Sequence, residues 1–101
     1  MKALLVNPVS QSIEEIEIND RDDIVAKIGF DTIIADEVGP EGDCLYFDED
    51  CFLRGTDGRF QIDSIVPVAG MGVVMGSVDG GETLSDVNSS VEGLTVRVKY
   101  L

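Results

Sequence analysis

The sequence contains no histidine. That removes the commonest general base, the usual partner of a serine or cysteine nucleophile and the commonest zinc ligand. Basic residues are scarce as well: 7 Lys and Arg stand against 20 Asp and Glu, for a formal net charge of -13. Phosphate backbones are held by clustered Lys and Arg that release counterions, so neither direct nucleic-acid binding nor docking to an anionic membrane is expected. No apolar run approaches the ~18 residues of a membrane span. The opening Met1-Lys2-Ala3-Leu4-Leu5-Val6 stops at Asn7-Pro8, too short for the apolar stretch of a signal peptide, so a cytoplasmic location is expected. There are only two cysteines, and the six residues between Cys44 and Cys51 do not match the close spacing of zinc knuckles or redox motifs. Both read as reduced thiols packed in the interior, as suits a reducing compartment.

What is present is enough for one small folded domain. Of 101 residues, 44% are apolar, which separates the chain from acidic disordered sequences, where high charge goes with low hydrophobicity. Lys2 to Val6 reads as a buried strand, and Ile13 to Ile18, with Glu15 and Glu17 alternating against Ile16 and Ile18, as its hairpin partner. Asn19-Asp20, the acids Asp22 and Asp23 and the later Gly29 bracket a short helix near residues 20–29, whose stripe of Ile24, Val25 and Ile28 needs a sheet to pack on. Further strands are expected at Thr32 to Ala35, Cys44 to Phe47, Cys51 to Leu53, Phe60 to Ile62, Val66 to Val68, Gly72 to Gly76 and Val96 to Tyr100, with a helical turn at Val91 to Leu94. Tyr46, Phe47, Phe52 and Phe60 lie in apolar runs and belong to the core. The fold class is α+β: a strongly bent, mainly antiparallel sheet, able to close part-way into a barrel, with one clear covering helix.

The charge is unevenly spread. Residues 31–63 hold 10 acids and 2 bases, so this middle third carries -8 of the total. Asp48, Glu49 and Asp50 fall between two apolar runs and read as the tip of a tight hairpin, with Glu41, Asp43 and Asp57 nearby. Such a surface can steer a basic partner onto itself, in the extreme by imitating the spacing of DNA phosphates; it can equally serve only to keep a small protein soluble. Calcium is not expected. The alternating acids, central glycine and distal Glu of an EF-hand are not met, and Asp79-Gly80-Gly81-Glu82 is only a fragment of such a loop. The run from Gly70 through Gly72 to Gly76 lacks the following helix and the Lys of a phosphate loop, and reads as glycines that permit a turn and close backbone packing. No cofactor is expected.

Several segments, taken in order, resemble a known group. These are the opening Met1 to Pro8, Gly42-Asp43 before Leu45-Tyr46 with Asp48-Glu49 after it, the Pro67-x-Ala69-Gly70-x-Gly72-Val73-Val74-Met75-Gly76 run, and the closing Arg97-Val98-x-Tyr100-Leu101. Together they look like a family of small proteins from phages, plasmids and integrative elements that carry a domain of unknown function. The resemblance implies a mobile-element setting and supplies no catalytic or binding residue. Charge and resemblance together lead to an expected non-enzymatic accessory protein that binds a basic host protein, such as a defence or nucleic-acid enzyme, through Asp48, Glu49 and Asp50 supported by Glu41, Asp43 and Asp57. The competing expectation is a protein that sequesters a small molecule near Gly70, Gly72 and Gly76.

Overall fold

Three apolar segments set the frame of the computed structural model, which describes residues 1–101. Strand β1 (Lys2–Asn7) and strand β2 (Ser12–Glu17) form the expected hairpin, with Lys2 opposite Glu17 and Asn7 opposite Ser12. The Asn7 side chain ties its turn by accepting hydrogen bonds from the backbone of Val9 and Ser10 at 3.0 and 3.2 Å. Helix α1 (Arg21–Ile28) follows. Asp20 caps its start by accepting from the Asp23 N–H, and Gly29 ends it at φ 93°, where its N–H reaches the Val25 carbonyl at 2.7 Å. Strands β3 (Ile33–Glu37) and β4 (Asp43–Asp48) come next, then β5 (Arg59–Ile62), β6 (Val68–Ala69) and β7 (Gly72–Gly76), a short helix α2 (Val91–Thr95) and β8 (Val98–Tyr100).

All strand pairings are antiparallel. The larger sheet has the order β2-β1-β7-β4-β3, and β6-β5-β8 form a smaller one. Strands β4 and β7 are buried at every position and β1 at most, because the large sheet is covered on both faces. Alternation divides its residues between two cores. Ala3, Leu5, Cys44, Tyr46, Val73 and Met75 pack with Ile24 and Ile28 of α1. Leu4, Val6, Leu45, Phe47 and Val74 pack with Phe60, Ile62 and Val68 of the small sheet and with Leu94 of α2. The result is three layers: helix, large sheet, small sheet.

The expected α+β fold with a bent antiparallel sheet and a short helix is therefore what forms, but the sheets do not close into a barrel. Strands β2 and β3 lie at opposite edges of the five-strand order, and the small sheet covers a face without joining them. The expected hairpin around Asp48 to Asp50 also does not form. Both edges of β4 are already taken, by β7 and β3, so a returning Cys51–Leu53 has nothing to pair with and winds into a 3-10 turn. Phe52 on that turn is 52% exposed and is not a core residue. Val66 and Val96 likewise lie outside the strands expected to include them, and both are exposed. No helix is long and apolar enough to cross a membrane.

Candidate functional site

Asp48 is the last residue of β4, opposite Ile33 of β3, and only 2% of it is exposed. Its carboxylate accepts from the Thr32 hydroxyl, from the Asp50 N–H at 3.1 Å and from the Arg54 Nε–H at 2.9 Å. Burial pushes this carboxyl up, but the hydrogen bonds from Arg54, Thr32 and the Asp50 backbone together outweigh it and hold the group below its ordinary value. Arg54 also donates from Nη2 to the Thr32 hydroxyl at 3.0 Å, and its guanidinium lies 4.3 Å from the centre of the Phe30 ring. A buried carboxylate, a hydroxyl, a guanidinium and an aromatic ring thus form one locked cluster.

Phe30, Asp48 and Arg54 of this cluster line a cavity of about 290 Å³. Pro8 and Val9 from the β1–β2 turn, Ile28 from the end of α1, and Met71 supply apolar surface to it. Cys51, Ala69 and Gly70 line the remainder, with Thr56 and Asp57 at the loop before β5. Two glycines let the loop close in. A side-chain carbon on Gly58 would lie 3.0 Å from the backbone of Pro8 and Val9, and one on Gly70 would lie 3.2 Å from the Thr56 hydroxyl; both have left-handed backbones, at φ 81° and 78°. The Gly70 N–H donates to the Gly58 carbonyl at 3.1 Å and ties the two segments together. The volume falls just below the roughly 300–1,000 Å³ that ligand pockets span. The other three concavities are lined mainly by polar groups and glycine.

The six acids singled out in the sequence do not form one surface. Glu49 is exposed, Asp50 half-exposed and Asp57 exposed, and all three lie at the cavity end of the molecule near Asp48. Glu41 and Asp43 lie at the other end of β4, ~17 Å away by strand geometry. Asp43 is 1% exposed. One of its oxygens accepts from the N–H and the side-chain amide of Asn88 at 2.8 and 3.1 Å, the other from the N–H and hydroxyl of Ser89 at 2.9 and 2.6 Å. As binding residues on a free surface, Asp43 and Asp48 are corrected: both carboxylates are used up inside, because each ends a fully buried strand and must find donors there.

Of the glycines tied to a ligand, Gly70 lines the cavity, whereas Gly72 and Gly76 are interior packing positions. A side-chain carbon on Gly72 would lie 2.6 Å from the Phe60 ring and 2.9 Å from Leu45; on Gly76 it would meet Ser85 at 2.5 Å. Arg54, Phe30, Thr32 and Met71 were not anticipated. The one available signal was that Arg54 and Arg59 are the only bases among ten acids, so a buried acid in that segment would claim one of them. The Asp79 fragment is closed on itself: its carboxylate, held low chiefly by the Thr83 hydroxyl, also accepts from the Thr83 N–H, the Ser77 hydroxyl and the Glu82 N–H. Cys44 and Cys51 are free, buried and in different cores, with burial pushing the Cys44 thiol up and Glu37 and Asp43 adding to it.

No protein-family model matches the chain, and neither a curated protein nor a solved structure does.

Proposed function

We propose that the protein acts by binding and that it holds a small, largely apolar molecule in the cavity between the end of α1, the β1–β2 turn and the loop before β5. The observation that carries this is the cavity's construction: apolar walls from four separate segments, a few converging polar groups and a glycine-enabled loop closing one side. Within the mobile-element setting implied by the resemblance, the role would be that of an accessory protein that sequesters its ligand without transforming it, in a cytoplasm where both thiols stay reduced. The test is a titration of methyl-labelled protein with 2-phenylethanol, followed by NMR at Ile28 and Met71. Saturable shifts at both methyls are expected, and they should vanish in Thr56→Trp, which fills the mouth from an exposed position. Shifts that never saturate, or that survive Thr56→Trp, would overturn the reading.

A second reading, capture of a basic host protein without contact to nucleic acid, draws support from the 3-10 turn. Phe52 is 52% and Leu53 83% exposed, next to Glu49 and Asp50. An apolar pair rimmed by carboxylates suits a partner with an apolar anchor flanked by Lys or Arg. Glu49→Lys with Asp50→Lys should abolish salt-sensitive capture of such a partner from host lysate, and unchanged capture would sink this version.

A further inference from the structure

Resting on the cavity reading, we infer that the molecule taken up carries a positive charge, an ammonium group on an apolar body. Among the lining residues, two carboxylates, Asp48 and Asp57, face one cation, Arg54. That cation is already committed. Its Nε–H is bonded to Asp48, its Nη2 to Thr32, and Asp50 lies 3.9 Å from the same Nη2. The hydrogen bond it donates to Asp48, with the charges of Asp50 and Asp31 behind it, holds the Arg54 proton more tightly than usual. Arg59, the other base of this segment, lies 5.4 Å from the Phe52 ring centre and does not line the cavity.

Carboxylates therefore outnumber cations at the mouth, and a ligand anion would meet repulsion from Asp50 and Asp57 before reaching the neutralised guanidinium. A cation would meet the reverse. Asp57 is the group free to serve it, being exposed and in no ion pair. The apolar body would rest against Ile28 and Met71, while the ammonium stays at the wet lip beside Asp57, where its charge is never fully desolvated.

Three probes with one body separate the possibilities: 2-phenylethylamine, 2-phenylethanol and phenylacetate, each titrated at low salt and read at the Ile28 and Met71 methyls. The amine is expected to bind roughly fivefold more tightly than the alcohol, the advantage that one partly solvated ion pair supplies, and the carboxylate more weakly than the alcohol. Asp57→Asn should remove most of the amine's advantage and leave the alcohol unchanged. Glu37→Gln removes the same unit of charge from the far end of β3, opposite Cys44 and away from Asp48, and should leave the advantage intact, which separates a local ion pair from the general field of an acidic protein. Equal binding of amine and alcohol, or tightest binding of the carboxylate, overturns the charge assignment while the cavity reading stands. If none of the three saturates, the cavity reading falls and this inference falls with it.

Discussion

Asp43 and Asp48 open and close the same strand, and each solves the problem of a buried carboxylate differently. Asp43 is satisfied by four donors from one neighbouring loop, so it acts as the anchor of the Asn88–Ser89 segment. Asp43→Ala should cost about 1–3 kcal/mol in chemical denaturation, and hydrogen exchange should show residues 86–90 loosened first. Asp48 is instead held by a guanidinium, a hydroxyl and a backbone N–H. Its carboxyl, and that of Asp63 paired with Arg97, titrate below their ordinary value in the folded protein. Groups lowered in this way contribute stability that is fully present above the unfolded value of about 4 and is lost as pH falls through the folded value. Asp48→Asn should therefore be clearly less stable than the parent at pH 7, with the gap narrowing as pH falls below about 4; a gap independent of pH would show that the charge at this position is not what stabilises. Both positions read from the sequence as surface acids and both are buried, because nothing in a run of carboxylates tells which one a strand will carry inside.

At the level of elements, the first hairpin and the helix caps were legible and the other pairings were less so. The helix was readable because its signals are local: Asp20 and Gly29 act on backbone groups within four residues of themselves. The β1–β2 hairpin was readable for the same reason, its turn being tied by Asn7. The turn at Cys51–Leu53 was not, since its apolar residues fit a strand and only the prior occupation of both β4 edges excludes one. The glycines of β7 are close-packing positions, and the structure identifies what they admit: Phe60 of the small sheet lies against Gly72. Gly72→Ala should force the two layers apart, costing about 1–3 kcal/mol by overpacking. Phe60→Leu in the same chain should recover part of that loss; no recovery would place the strain elsewhere.

Across the whole molecule, only Asp43 and Asp48 of the 20 acids are buried, so nearly all of the excess negative charge stays at the surface. Ion pairs offset little of it: Lys2 reaches Glu15 at 3.7 Å, Arg97 pairs with Asp63 and the N-terminal ammonium with Glu17 at 3.2 Å. Self-repulsion should therefore make the fold salt-dependent. Thermal unfolding near neutral pH is expected at a higher temperature in 0.3 M than in 0.01 M sodium chloride, because the screening length falls from about 30 Å to below 10 Å. A transition unmoved by salt would mean that the surface charges are spaced widely enough not to interact.

Composition, local capping and alternation determined that this chain would be an acidic α+β protein with a β-hairpin, a short helix on an antiparallel sheet and two buried thiols, since each of these depends on residues close together in the chain or on totals. Which carboxylates are buried, where the cavity lies and which side chains wall it were decided by the tertiary structure. Pro8, Ile28, Asp48, Arg54 and Met71 come from five separate segments, and only the strand order, a property of long-range pairing that no local signal encodes, brings them to the same end of the sheet.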